Sequence, residues 1–286
     1  MKAYLDIVHQ VYDEGEIKVG RNGSTISLSG TQFRHDMRKG FPILTIREMS
    51  LKAAITELRF FIQGFTDKSW LQMRGNKFWD KWCNVTSEEF MGLVSANIPV
   101  NTAARMTTDL GPIYGYQWRK FNGTGIDQLK DVLSLLRTSP NSRRMLVSAW
   151  NPLQLASMAL PPCHDSFQFI SNGKDLDLIW RQRSCDIAIG LPYDILLYGL
   201  LLTLVAHDVG MEPRFLTGQF GDTHVYDVNK SKLDSILERN PRILPELHWK
   251  HGAHDIFQWA ASDELSSQWE LEGYKPHPKC FFEVVE

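Results

Sequence analysis

The segment DILLYGLLLTLVAHDVG, residues 194–210, most constrains how this chain can fold. It predicts a helix that is apolar around most of its surface, and such a helix must be buried in a protein core or in a membrane. Gly, Pro and Asp interrupt the apolar run between residues 187 and 206, so it is not a continuous membrane-spanning stretch. We therefore expect the central helix of a large hydrophobic core.

Two aspartates, Asp186 and Asp194, lie in or beside this apolar segment. A buried carboxylate needs a partner or a shifted pKa, since an unpaired charge in a core is very costly. The alternative is that both residues cap helices at the surface, because Asp194 follows a proline and begins an apolar run. The local pattern leaves both explanations open.

Composition narrows the class of protein. The 286 residues are 43% hydrophobic and 22% charged, which is enough for one large domain or two small ones. The formal net charge of -2 offers no general attraction to nucleic acid or to an anionic membrane. The cysteines at 83, 163, 185 and 280 form no CxxC pair, and the N-terminal segment lacks the apolar core of a signal peptide. These features predict reduced thiols and a cytoplasmic location.

Hydrophobic periodicity predicts helices and strands without a regular βαβ alternation, which favours an α+β fold. Residues 50–64 are expected to form a helix that Ser50 caps and Gly64 closes. Further helices are expected at 3–14 and within 125–144, and strands at 24–37, 145–150, 166–171, 176–184 and 214–228, the last with glycines that suggest a bulge. Residues 84–108 lack a clean period, so we expect a surface excursion or a small subdomain there.

A cysteine in ALPPCHDSFQF is a candidate nucleophile. Two prolines fix the backbone before Cys163, and His164 follows as a potential cation. Nearby cations would lower the pKa of the thiol and raise its reactivity. The alternative is a buried, inert cysteine, which is the usual role of a lone cysteine.

Arginines form a second pattern. Arg143 and Arg144 are adjacent after a helix-ending turn, Arg183 precedes Ser184 at the end of a predicted strand, and Arg21 lies in the glycine-rich loop VGRNGST. Guanidinium groups together with a hydroxyl and loop amides suit a phosphate. Taken singly, each could be an ordinary surface arginine.

The chain resembles the thymidylate synthase family from end to end. The matching motifs, in the order of the family, are GFPILT, TELRFFIQG, DLGPIYGYQWR, SRRMLVSAWNP, MALPPCH, RQRSCDIAIGLP and GDTHVY. The resemblance implies a single α+β domain over residues 1–286, with a large mixed sheet packed with helices and dimerisation through that sheet. Residues 84–108 fall where family members differ in the length of an insert.

The resemblance also implies roles for individual residues. Cys163 would add as a thiolate to C6 of a pyrimidine nucleotide, Glu57 would order a water that relays protons at the base, and Tyr114 would assist proton removal from C5. The nucleotide would be bound by Arg21, Arg183 and Ser184 at its phosphate, by Arg143 and Arg144 from the other subunit of a homodimer, by His224 and Tyr226 at the sugar, and by His164, Gln182 and Asp194. The co-substrate would be 5,10-methylenetetrahydrofolate, lined by Trp79, Trp82, Leu160, Asp186, Gly190, Tyr193 and Val285, with Asp186 bonding the pterin. No metal is expected.

Asp194 departs from the family, which carries asparagine at the position that contacts the base edge. An asparagine accepts from uracil N3–H and donates to O4, whereas cytosine reverses that pattern. A neutral carboxyl, or a carboxylate paired with cytosine protonated at N3, fits cytosine. The substitution therefore predicts dCMP as substrate and Asp194 as a general acid. A neutral aspartate can also bond uracil, so an ordinary thymidylate synthase acting on dUMP stays open.

The product is a separate question. Hydride transfer gives a methyl group, whereas capture of water gives hydroxymethyl. Trp79 and Trp82 favour a dry site and thus 5-methyl-dCMP, whereas the acidic tail FEVVE, ending in Glu286, could admit water and give 5-hydroxymethyl-dCMP. Modified deoxycytidylates suggest a bacteriophage source.

Two classes of protein without catalysis also stay open. One is a nucleotide- or RNA-binding protein that has lost its activity, against which the retained Cys163, Glu57 and Tyr114 argue. The second is a purely structural dimer, which would leave the set of arginines unexplained.

Overall fold

A six-stranded mixed sheet forms the centre of the fold in the computed structural model, which describes residues 1–20, 22–82, 91–92, 94–96, 108–249, 255–262 and 269–285. The strands lie in the order β1-β2-β6-β5-β4-β3, and β5 and β6 run parallel while the other neighbours are antiparallel. Their bounds are Glu16–Gly20 (β1), Gly23–Asp36 (β2), Leu146–Ser148 (β3), His164–Ser171 (β4), Asp175–Asp186 (β5) and Glu212–Tyr226 (β6). A separate pair joins Glu246–Trp249 (β7) to Trp269–Glu272 (β8). The expected α+β class is confirmed.

Helices pack against this sheet and against one another. They are Lys2–Glu14 (α1), Leu51–Ile62 (α2), Ser69–Gln72 (α3), Tyr114–Arg119 (α4), Gln128–Thr138 (α5), Gly190–Val209 (α6), Asp227–Leu237 (α7) and Ile256–Ala261 (α8), with short 3-10 turns at Met37–Lys39 and Leu155–Ser157. The predicted ends of α2 are confirmed: Ser50 Oγ accepts from Ala53 N at 3.2 Å, and Gly64 follows the helix with φ of +67°. The predicted insert at 84–108 falls mostly outside the described residues.

The apolar helix α6 lies in the core, and 72% of its most apolar 18-residue stretch is buried within the fold. By length and composition this helix could cross a membrane, but core helices of the same composition are equally apolar. It begins four residues earlier than predicted, with Pro192 in its first turn, where a missing N–H is tolerated. Asp194 therefore lies inside the helix, and the surface-cap explanation for Asp194 is wrong.

The glycines of β6 do not form the predicted bulge. The register with β5 is continuous from Leu178↔Leu216 to Asp186↔His224, and the irregularity lies earlier, between Leu176 and Leu178. Gly218 instead makes room for aromatic rings, because a Cβ there would come within 2.6 Å of the Trp180 ring and 2.4 Å of the Phe220 ring.

Candidate active site

Strand topology brings the candidate residues to one edge of the sheet. The parallel strands β5 and β6 both end there, and the antiparallel β4 begins there. The register therefore places His164 opposite Gln182 and Asp186 opposite His224. Helix α6 starts at the same edge and presents Asp194 from its first turns.

Cys163 lies at the start of β4 in a tightly held turn. Its backbone N–H donates to the Tyr114 hydroxyl at 2.9 Å, and the Arg183 guanidinium donates to the carbonyls of Pro161 and Pro162, each at 2.8 Å. Burial raises the pKa of the Cys163 thiol, and the charge of Arg183 opposes this only in part. The expectation of a lowered pKa is therefore wrong, because desolvation outweighs the nearby cation.

His164 is buried beside the cysteine and is not a cation. Its ring stacks on Tyr114 with centroids 4.0 Å apart, and its Nδ1 is 2.7 Å from the Tyr198 hydroxyl. Burial lowers the pKa of His164 to about 3, so the imidazole is neutral near pH 7. The expected positive charge next to Cys163 comes instead from Arg183.

Asp194 has both a partner and a shifted pKa. Its Oδ2 accepts from Gln182 Nε2 at 2.8 Å, and its Oδ1 lies 3.9 Å from His164 Nε2. Burial raises the pKa of Asp194 to about 8, and the negative charge of Glu57 adds to the increase. The carboxyl is therefore mainly neutral at pH 7, although 16% of the side chain stays exposed.

Glu57 lies on α2 next to the turn that carries Trp79 and Trp82, called here the tryptophan turn. Burial raises the pKa of Glu57 to about 7, while the hydrogen bond from Trp79 Nε1, at 2.9 Å, lowers it. The Trp79 and Trp82 rings are 5.6 Å apart. The buried ammonium of Lys68 donates to the carbonyls of Asp80 and Trp82, which fixes this turn. Glu57 can therefore carry or release a proton near neutral pH.

Gly190 lies next to both Asp186 and Asp194. A Cβ at Gly190 would lie 3.6 Å from Asp194 Oδ2 and 3.9 Å from Asp186 Cβ, which is ordinary van der Waals contact. Asp186 Oδ1 accepts from Ala188 N at 2.8 Å, and burial raises the pKa of Asp186. The Tyr193 ring packs edge-on against Phe78, with centroids 4.6 Å apart, and Leu160 is partly buried against the core. Aromatic rings and a carboxyl are the kinds of side chain that suit a flat heterocycle such as a pterin.

A pocket of about 370 Å³ opens beside these residues, and its lining includes Arg183, Ser184, His224 and Tyr226. His224 Nδ1 lies 3.1 Å from Asp222 Oδ1, and that carboxylate also accepts from Ser27 Oγ and Lys18 Nζ. One arginine, one serine and neighbouring backbone at Gly20 and Gly23 line a single cavity. This chemistry suits a phosphorylated sugar.

The match to a family model decides the identity: the model described as thymidylate synthase covers residues 2–286. The chain belongs to the thymidylate synthase family. It is thus a folate-dependent enzyme that methylates or hydroxymethylates a pyrimidine nucleotide at C5, with methylenetetrahydrofolate as co-substrate. No group of three or more His, Cys, Asp or Glu side chains that could hold a metal occurs among the described residues.

Some residues expected in a thymidylate synthase family site lie apart from it in this chain. Arg143 and Arg144 are exposed, and neither belongs to the described lining of the 370 Å³ pocket. Arg21 and Glu286 lie outside the described residues. Phe220, on β6, is buried against Trp180, with ring centroids 5.6 Å apart.

The C-terminal segment, residues 283–285, is held by hydrogen bonds to α7 and to the tryptophan turn. Asn229 Nδ2 donates to the Glu283 carbonyl and Asn229 Oδ1 accepts from Glu283 N, each at 2.8 Å, and Lys81 Nζ donates to the Val284 carbonyl at 2.9 Å. Val285 lines a cavity of about 320 Å³ together with Lys81 and Tyr226. The tail therefore lies between the tryptophan turn and the end of β6.

The sequence pattern did not indicate three residues that contact and position candidate site residues. Trp180 contacts Gln182, Tyr198 contacts His164, and Asp222 contacts His224. Periodicity could have found them. Trp180 and Asp222 lie two residues before their partners on one face of a strand, and Tyr198 lies one helical turn after Asp194.

Proposed function

We propose that the enzyme transfers a one-carbon unit from 5,10-methylenetetrahydrofolate to C5 of dCMP and forms 5-methyl-dCMP. The choice of base is supported by Asp194, a buried carboxyl at the position where the family carries asparagine, which accepts from Gln182 and has a raised pKa. Its pKa of about 8 makes the carboxyl a proton donor at pH 7. Cytosine needs one proton between its N3 and the group that contacts it, and this carboxyl supplies that proton.

The same proton assists nucleophilic addition. When the Cys163 thiolate adds to C6, electron density moves toward N3, and a proton shared with Asp194 neutralises it. A charged Asp194 would raise the pKa of Cys163, since its negative charge opposes the thiolate. A neutral Asp194 therefore favours the ionisation of Cys163, and Arg183 is the cation that supports it.

The folate side of the site fits the co-substrate. Asp186 would bond the pterin, Trp79, Trp82 and Tyr193 would pack on it, and Glu57 would order the water that relays protons. When bound, methylenetetrahydrofolate supplies the one-carbon unit and, for a methyl product, the hydride.

Exclusion of water favours methyl over hydroxymethyl. Trp79 is only 7% exposed, and the bonds from Asn229 and Lys81 hold the tail next to the tryptophan turn. A site closed in this way keeps water from the exocyclic methylene group. Formation of 5-hydroxymethyl-dCMP is the second candidate, because the tail sequence FEVVE includes the acidic Glu286.

The nucleotide site would be shared between two subunits. Arg143 and Arg144 are exposed at the surface of one chain, as expected for side chains that reach the phosphate bound by a partner. In the first chain, Arg183 and Ser184 would hold that phosphate, and His224 and Tyr226 the sugar. The active unit would therefore be a homodimer.

Mass spectrometry of the products tests this proposal. The enzyme is incubated with methylenetetrahydrofolate and either dCMP or dUMP, and the nucleotide mass is followed. A gain of one methyl group on dCMP supports the proposal, and a hydroxymethyl gain supports the second candidate. Thymidylate formed from dUMP, with dCMP unchanged, would overturn the choice of base.

A further inference from the structure

A chain of hydrogen bonds runs from the core to Asp194. The Trp180 indole N–H donates to Gln182 Oε1 at 2.9 Å, and Gln182 Nε2 donates to Asp194 Oδ2 at 2.8 Å. Trp180 is fully buried, and Gln182 is 3% exposed. The carboxyl that faces the site is thus connected to an indole that does not reach the site.

This chain fixes the orientation of the Gln182 amide. An indole nitrogen only donates, so it can pair with the amide oxygen but not with the amide nitrogen. Gln182 Nε2 must therefore face Asp194, and Asp194 Oδ2 must accept. The carbonyl oxygen of a neutral carboxyl is its better acceptor, so the proton of neutral Asp194 resides on Oδ1.

The donor at the start of the chain is held in place by packing. The Trp180 ring stacks on Tyr198 with centroids 5.2 Å apart and 15° between planes, and it contacts the rings of Phe33 at 5.8 Å and Phe220 at 5.6 Å. Gly218 provides the space for this arrangement. The indole cannot turn away from Gln182 without disturbing these neighbours.

We infer that Trp180 acts through Gln182 to fix which oxygen of Asp194 donates and which accepts, and thereby sets discrimination between 4-amino and 4-oxo pyrimidine nucleotides. A 4-amino pyrimidine offers an acceptor at N3 and a donor at position 4, and a 4-oxo pyrimidine offers the reverse. A fixed donor–acceptor order therefore matches one edge better than the other. Trp180 is a positioning residue, and the inference rests on the proposed contact between Asp194 and the base.

Trp180→Phe tests the inference because it removes the N–H and keeps an aromatic ring in the core. Without the N–H, the Gln182 amide can turn over and present its oxygen to Asp194, which moves the carboxyl proton to Oδ2. We expect the ratio of the dissociation constants for dCMP and dUMP to move toward one by about tenfold or more. The same change is expected in the ratio of kcat/KM values.

Trp259→Phe is the matched control, since Trp259 is 1% exposed and packs against Trp249 and Trp269 away from Asp194. It should leave the ratio unchanged. Gln182→Glu provides a second variant if Trp180→Phe does not fold, because it removes the donor to Asp194 at constant size. Gln182→Glu should likewise reduce discrimination.

Binding measured by calorimetry with each nucleotide alone separates this inference from the proposed function. A ratio that stays within about twofold of the wild-type value in folded Trp180→Phe or Gln182→Glu protein overturns the role of Trp180, whichever base is preferred. A wild type that prefers dUMP overturns the choice of dCMP, and a relaxed ratio in Trp180→Phe would still support the positioning role.

Discussion

Tyr198 stacks on Trp180 with ring centroids 5.2 Å apart, and each ring supports one neighbour of Asp194. The Trp180 N–H bonds Gln182, which donates to Asp194 Oδ2, and the Tyr198 hydroxyl bonds His164, which faces Asp194 Oδ1. The surroundings of both carboxyl oxygens therefore depend on one pair of buried rings. The packing of Trp180 against Tyr198 in the core therefore positions the groups that contact the Asp194 carboxyl.

Asp194→Asn should shift the kinetic preference from dCMP toward dUMP. An asparagine cannot supply the proton that addition to cytosine needs. The loss of this one donated hydrogen bond, at about 1–3 kcal/mol, would change the ratio of kcat/KM values by roughly tenfold or more. Steady-state kinetics with both nucleotides measures the change.

The division between kinetic constants adds information about Asp194. A loss on dCMP that falls mainly on kcat indicates the general acid, and one that falls mainly on KM indicates base binding only. If the ratio for the two nucleotides does not move, Asp194 does not select the base.

The stability of Asp194→Asn relative to wild type should grow as pH rises. The pKa of Asp194 is raised to about 8 in the folded chain, so between about pH 4 and pH 8 the folded state binds a proton that the unfolded state does not. Stability of the wild type then falls with rising pH, by up to about 1.4 kcal/mol per pH unit from this group. The amide is always neutral and removes this loss, while its oxygen can still accept from Gln182.

Urea unfolding of both proteins at pH 5, 6, 7 and 8 measures this difference. Glu57 and Asp186 are present in both proteins and interact with the Asp194 charge, so the difference reports Asp194 together with its coupling to these two carboxyls. Parallel stability curves for wild type and variant would mean that Asp194 ionises normally in the folded protein.

Cys163→Ser should abolish turnover and leave nucleotide binding nearly intact. A serine hydroxyl does not ionise near neutral pH, and the neighbouring His164 is bonded through Nδ1 to Tyr198. The Cys163 N–H that donates to Tyr114 belongs to the backbone and is retained. Product formation and calorimetric binding of dCMP are the measurements, and more than a few per cent of wild-type activity would exclude Cys163 as the nucleophile.

Mixed dimers should recover activity when one chain carries Arg144→Ala and the other carries Cys163→Ser. Each parent homodimer has two defective sites, whereas the mixed dimer has one site with an intact cysteine and an intact arginine from its partner. Activity after mixing and reassociation, compared with each parent alone, tests the shared site. A mixture with no more activity than the sum of its parents would contradict it.

The sequence by itself determined the family, the mixed α+β class and the buried helix α6. These follow from local information: long motifs in a fixed order, apolar periodicity, and the Ser50 cap and Gly64 end of α2. The unusual Asp194 was also evident from the sequence, since a single residue differs within a long matching motif. The local pattern could not tell whether Asp194 caps a helix or lies inside one. A proline followed by an apolar run is compatible with both arrangements.

Tertiary structure alone decided the electrostatics of the site. Burial raises the pKa of Asp194 and of Cys163 and lowers that of His164. The segments that bury these three groups are distant in sequence, so the sequence around each residue does not reveal its degree of burial. The sequence pattern predicted cations beside Cys163, but desolvation depends on the whole packed fold. The bond from Trp180 through Gln182 to Asp194 likewise requires strand β5 and helix α6 to meet, which only the folded chain brings about.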